Sequence, residues 1–105
     1  MGFAMSEQER GAVTAIALSG ELDMATAPDL QARIDELAAA GRCRILLDLA
    51  ELTFCDSAGI NTFIRGDRRC TPLGGWLRLT DPRGHVARVL KVSGVDEVLT
   101  YDSGE

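Results

Sequence analysis

One stretch of the chain concentrates residues with chemical use: Phe54-Cys55-Asp56-Ser57-Ala58-Gly59-Ile60. A thiol, a carboxylate and a hydroxyl stand in consecutive positions, where a strand-like run gives way to helical spacing. As a helix cap, Asp56 or Ser57 would satisfy first-turn amides and contribute about 1 kcal/mol. As a nucleophile, Ser57 would need a base, and the inventory is poor. The single histidine, His85, and the single lysine, Lys91, fall in another helix, and no Gly-x-Ser-x-Gly frames the serine. Glycine-rich nucleotide cradles fail as well, since neither Gly-x-Gly-x-x-Gly nor a Gly-Lys-Ser/Thr ending is present. What the position suits is a covalent phosphate. Helix N-termini favour anions, so a phosphoserine at Ser57 would add about −1.5 to −2 charge without melting the helix beneath it. Asp56, and Asp23 if its loop lies alongside, would make the same patch more acidic.

These side chains need a strand and a helix to hold them. Arg44-Ile45-Leu46-Leu47-Asp48-Leu49 reads as a buried strand, and Leu52-Thr53-Phe54 leads from it to a helix beginning at Asp56-Ser57. Ile60, Phe63 and Ile64 give that helix its apolar face, while Asn61, Arg65, Arg68 and Arg69 point elsewhere. Upstream, Gly11 and Gly20 bracket Ala12–Ser19, which is apolar at nearly every position and predicts a strand covered on both faces. Phe3 to Arg10, with Glu7, Glu9 and Arg10, suits an edge strand paired with it. Thr26-Ala27-Pro28-Asp29 predicts a helix start with Thr26 as its cap, and Leu30, Ile34, Leu37 and Ala38 form the apolar stripe up to Gly41. Downstream, 71–75 is a loop, Trp76–Thr80 alternates as a strand, and Asp81-Pro82 opens a third helix with Val86, Val89 and Leu90 inward and Gly94 as its stop. Val95 to Tyr101 predicts a turn and a short last strand. The order β-β-α-β-α-β-α-β implies an α/β fold with a mainly parallel sheet and right-handed crossovers.

Composition narrows the function classes. The chain has 105 residues, 46% hydrophobic and 26% charged, which fits one domain spanning 1–105 that folds without disulfides or metal. Its formal charge of −5 disfavours direct binding to nucleic acid. No run approaches the roughly 20 apolar residues a membrane span needs, and the N-terminus lacks the basic head of a secretory signal. Three cysteines (Cys43, Cys55 and Cys70) form no Cys-x-x-Cys and have no second histidine for zinc, so no metal or cofactor is expected. They read as reduced thiols in a cytoplasmic protein, Cys43 and Cys70 as packing. Cys55 is singled out for redox chemistry only by its place beside the motif, since nothing in the sequence lowers its thiol pKa. Trp76 reads as a partly buried strand aromatic and His85 as a helix-surface residue. One Trp, one Tyr and three Phe give no aromatic cluster for a small-molecule sensor.

Asp56-Ser57-Ala58-Gly59-Ile60, following the strand that ends Leu47-Asp48-Leu49, resembles the signature of the bacterial anti-sigma factor antagonists, the STAS domain family. Leu18-Ser19-Gly20-Glu21-Leu22-Asp23, followed by Ala25-Thr26-Ala27-Pro28, is similar to that family's lead into its first helix. The resemblance covers about residues 3–101. It implies a mixed, mainly parallel sheet of four to five strands with helices packed mainly on one side. It also implies partner switching by a protein with no catalysis of its own. The unphosphorylated antagonist binds an anti-sigma factor that is also a serine protein kinase, and so frees a sigma factor. Phosphorylation of the signature serine, here Ser57, breaks the complex, and a metal-dependent serine phosphatase resets it.

By position, Asp23 matches the family's acidic loop residue, Thr26 adjoins it, and Asp56, Ala58 and Gly59 match the helix start that meets the partner. Helix geometry extends the surface to Asn61, Thr62 and Arg65 as outward residues. Two departures stand out. Members often continue into a C-terminal helix beyond Tyr101, and Arg65-Gly66-Asp67-Arg68-Arg69 is unusually polar, so partner choice is expected to differ from a typical member. STAS-like domains also serve as transporter accessory subunits or as scaffolds of sensory complexes, in which the serine is only a cap. Neighbouring genes for a kinase-like anti-sigma factor or for a transporter separate the two readings.

Overall fold

Strand β1 (Ala4–Arg10) turns through Gly11-Ala12 into β2 (Val13–Leu22) and pairs with it antiparallel, Arg10 opposite Val13 and Ala4 opposite Ser19. From there every connection is a crossover. Helix α1 (Ala27–Ala39) leads to β3 (Arg44–Cys55), α2 (Ser57–Cys70) to β4 (Trp76–Thr80), and α3 (Gly84–Ser93) to β5 (Thr100–Tyr101). The result is a five-stranded sheet in the order β1-β2-β3-β4-β5, parallel at every pairing after the first. The computed structural model describes residues 2–95 and 99–101, so part of the expected 95–101 segment lies outside the described residues. No helix among the described residues is long and apolar enough to cross a membrane.

Alternation explains which face carries the core. Ile16 and Leu18 of β2, Ile45 and Leu47 of β3, and Leu77 and Leu79 of β4 share one face and are fully or almost fully buried. They join a single cluster with Leu30, Ile34 and Leu37 of α1, Ile60 and Phe63 of α2, and Val86 and Leu90 of α3. The helices therefore back one side of the sheet. On the other side Ala17 is exposed, and Arg78 lays its guanidinium over the half-buried Trp76 ring at 4.1 Å. The expectation that β2 is covered on both faces therefore holds only in part: Ala15 is buried on this side at 6% exposure, while Ala17 is open. Its small residues Ala15 and Ala17 look apolar in sequence but do not belong to the helix-backed core.

Two irregularities in β3 matter for the site. Between Asp48 and Glu51, β3 spends three steps against two of β2, and between Leu52 and Phe54 two steps against one. Each is a bulge. Asp48 Oδ1 accepts the Ala50 amide at 3.0 Å across the first. Inward positions therefore run Leu47, Leu49, Leu52, Cys55 instead of strictly alternating, and the two pieces read from the sequence are one strand. The edge strand β1 is guarded by charge. Glu7 is held by Arg33 of α1, which keeps its carboxyl below the usual range, and Glu9 is paired with Arg42.

The third helix starts later than Asp81-Pro82 suggests. Asp81 adopts a left-handed φ of 61° and accepts from Arg83 at 2.7 Å, so the chain turns first and α3 begins at Gly84. Helix α2 can approach α1 and β4 because position 66 has no side chain. A Cβ there would stand 2.5 Å from Leu77 Cδ1 and 3.3 Å from Ile34 Cδ1. The glycine that weakens the helix on propensity is what lets it dock.

Candidate functional site

The parallel strands all end at the same edge of the sheet, and the loops leaving β2 and β3 meet there. Leu22 is in register with Cys55, and the Asp56 amide donates to the Leu22 carbonyl at 3.2 Å. Asp23, the next residue, is therefore a direct neighbour of the start of α2, as the acidic-patch argument requires. Its loop is self-bracing. Asp23 Oδ1 accepts from the amides of Ala25 at 3.0 Å and Thr26 at 3.1 Å. The Thr26 hydroxyl donates to the Glu21 carbonyl and accepts from the Asp23 amide, both at 2.9 Å. Thr26 does not cap α1 with its side chain, contrary to expectation, because its hydroxyl is committed backwards into this turn.

Asp56 is the cap of α2. Its Oδ1 accepts from the amides of Ala58 at 2.9 Å and Gly59 at 3.2 Å, while the Ile60 amide reaches the Asp56 carbonyl at 3.1 Å. Of the first-turn amides only that of Ser57 is left. Ser57 is exposed at the first helical position, and its hydroxyl makes no hydrogen bond among the described residues. This changes the electrostatic argument. The amides that could have cradled a phosphate are already taken by a carboxylate, so a phosphate on Ser57 stands next to Asp56 and points outward. Its charge adds to the patch without being neutralised by the helix end. Asp56→Ala is expected to cost about 1 kcal/mol of stability, with Asp56→Asn retaining most of it, by thermal denaturation of the two variants beside wild type.

Two expected contact residues are largely buried. A Cβ on Gly59 would meet Cys55 Sγ and Leu22 Cδ2 at 2.8 Å, so Gly59 seats α2 against the strands and, being buried, offers little surface to a partner. Thr62, expected to be outward from helix geometry, is 4% exposed and donates its hydroxyl to the Ala58 carbonyl at 3.1 Å. A threonine can satisfy itself within a helix in this way and so face inward. Ala58 is half-buried, and Asn61 and Arg65 are exposed, as expected. Cys55 is 1% exposed, and burial, with the Asp56 charge second, pushes its thiol up to about 12. It carries no thiolate for redox chemistry at neutral pH.

A groove of about 300 Å³ runs between α1 and α2 from the Ser57 end, with Thr62 and Ala58 lining it from one helix and Ala27 and Pro28 from the other. Met24 (78% exposed), Gln31, Asn61 and Arg65 complete it. Met24 and Gln31 are absent from the sequence-derived set. The usable signal for Met24 was a large apolar side chain placed in an otherwise polar turn. On the opposite flank Phe54, turned outward by the second bulge, stacks on His85 at 5.4 Å with the rings 8° apart. His85 is a helix-surface residue as read, with a partner that sequence spacing does not reveal.

The comparisons with known proteins agree with this geometry. The family model described as "Mlab, STAS domain" matches residues 5–100. An anti-sigma F factor antagonist from Paenibacillus polymyxa is 32% identical over 99 residues, covering 92% of this chain and 84% of that protein. The chain belongs to the STAS domain family. Solved structures show the same fold. An anti-sigma factor antagonist from Mycobacterium paratuberculosis superposes with a TM-score of 0.85 at 23% identity, covering 98% of this chain and 88% of the other. SpoIIAA in its unphosphorylated form, an anti-sigma factor antagonist, gives 0.82 at 23%, covering 96% and 90%. The STAS fold expected from the sequence, with its helices on one side of a mainly parallel sheet, is the fold observed.

Proposed function

We propose that this STAS protein is an anti-sigma factor antagonist acting by partner switching. Unphosphorylated, it presents Ser57, the Asp23 turn and the exposed face of α2 to a cytoplasmic anti-sigma factor that is also a serine protein kinase. Occupying that factor frees a sigma factor for transcription. The kinase then transfers phosphate to Ser57, the complex separates, and a metal-dependent serine phosphatase restores the binding form. The protein contributes a substrate hydroxyl and a docking face, and the catalysis belongs to its partners.

The observation that carries this reading is the division of labour at the start of α2. Asp56 does the capping, which leaves the Ser57 hydroxyl exposed and uncommitted beside two carboxylates. A serine that served only as a cap would be turned inward onto the amides. Likeness to the Paenibacillus antagonist over 84% of that protein's length supports this role over that of a transporter accessory subunit. The test is incubation with the cognate anti-sigma kinase and ATP, with the site mapped by mass spectrometry. Stoichiometric phosphate on Ser57 is expected. Phosphate on another residue, with Ser57 unmodified, would overturn the assignment.

A further inference from the structure

The exposed side of α2 changes sign along its length. At its start stand the Asp56 and Asp23 carboxylates. Two turns on stands Arg65, exposed and making no ion pair among the described residues, and one further turn on stands Arg68, equally unpaired. Arg69 differs, since it reaches Asp35 at 3.9 Å. Arg68 lies in the last turn, where a cation complements the helix dipole, but Arg65 lies too far from that end for the same explanation. At 1.5 Å rise per residue, Ser57 and Arg65 are about 12 Å apart along the axis. Between them lies the α1–α2 groove, which Arg65 itself lines. On the α1 side, Gln31 Nε2 donates to Asp35 at 3.1 Å while its Oε1 is enclosed and accepts nothing among the described residues. The groove thus has a small-residue floor, an exposed methionine at one end, the exposed Asn61 along its α2 wall and a lone cation at the other end.

Resting on the partner reading above, we propose that this groove receives a segment of the anti-sigma factor that carries a carboxylate, which pairs with Arg65 about 12 Å from the phosphorylation site. The segment lays an apolar side chain on Met24 and Ala58, and the carboxylate fixes its direction along α2. Charge complementarity selects a protein segment over a nucleic acid. A polyanion lying on Arg65 and Arg68 would run into Asp56 and Asp23 at the other end of the same helix, on a chain of net charge −5. The arrangement is a two-point attachment in which only one point is switched. Phosphorylation of Ser57 acts at the acidic end, and the Arg65 contact sets which anti-sigma factor is accepted.

The experiment is calorimetric titration of the cognate anti-sigma factor into wild type, Arg65→Lys, Arg65→Gln, Arg65→Glu and the control Arg88→Glu at low and high salt. Arg88 is exposed on α3, outside the groove, and its reversal changes net charge equally. Arg65→Glu is expected to raise Kd at least about tenfold at low salt and less at high salt, with Arg65→Gln intermediate and Arg65→Lys within about threefold of wild type. Combined with Ser57→Asp, the two factors should multiply to within about twofold, because the two positions stand about 12 Å apart along the helix. Arg65→Glu binding like wild type, or Arg88→Glu weakening binding as much, overturns the proposal. Failure of wild type to bind the anti-sigma factor overturns the partner reading itself, so the two failures are told apart. Thermal denaturation of each variant confirms that a change in Kd is not a change in folding.

Discussion

Ser57→Asp is expected to raise the Kd for the anti-sigma factor by at least about tenfold, while Ser57→Ala stays within about threefold of wild type and is no longer phosphorylated. The asymmetry follows from the cap. Because Asp56 Oδ1 holds the amides of Ala58 and Gly59, neither alanine nor aspartate at 57 removes a hydrogen bond that α2 depends on. The two variants should therefore melt close to wild type, and any difference in binding is a difference in the surface. Aspartate places a third carboxylate beside Asp56 and Asp23, with the first-turn amides already occupied and unable to absorb it. Phosphate adds up to twice that charge, so its effect is expected to exceed that of the mimic. Binding titrations of the three forms, followed by incubation of each complex with ATP, read both halves of the switch. Wild type should release on phosphorylation and Ser57→Ala should remain bound. If Ser57→Ala loses affinity while staying folded, the hydroxyl is a contact needed for docking, and charge-driven release is the wrong mechanism.

Much of the scaffold was legible because it obeys simple periodicities. Leu30, Ile34, Leu37 and Ala38 sit at helical spacing and are all buried, and Trp76–Thr80 alternates and forms β4 as read. The misreadings cluster where backbone geometry or packing, which residue type does not encode, decides the local chemistry. Thr26 looks like a cap until the Glu21 carbonyl claims its hydroxyl. Thr62 looks like surface until α1 is packed beside it and its hydroxyl turns to Ala58. The continuity of β3 was hidden because two bulges break the alternation that marks a strand. Asp81 looks like a helix start because a left-handed backbone leaves no trace in a residue type that also favours caps. At the site itself, the order Asp56-Ser57 was readable as one cap and one candidate phosphate acceptor. Which of the two caps the helix was not, since both are good caps and only the positions of Oδ1 and Oγ separate them.

Gly59→Val is expected to be the most damaging single change in the signature, lowering stability by about 3 kcal/mol and abolishing phosphorylation and binding together. On sequence alone the glycine matches the signature segment that meets the partner. The structure places it differently. A Cβ at this position already stands 2.8 Å from both Cys55 Sγ and Leu22 Cδ2 and 2.9 Å from Leu22 Cγ, before the two valine methyls are added. Cys55 and Leu22 are themselves 1% and 0% exposed, held by the end of the sheet, so neither side chain has free volume to retreat into. Helix α2 must lift at its first turn. That motion stretches the Asp56 cap and separates Ser57 from the Asp23 turn, which is why fold and function are expected to fail in step. Thermal denaturation should show a fall in melting temperature of more than about 10 °C, at roughly 4–8 °C per kcal/mol for a chain of this size. Gly59→Ala should fall between wild type and valine. If Gly59→Val melts like wild type yet cannot bind the anti-sigma factor, the glycine is a contact after all, and the partner must approach α2 from a side that the strands now cover.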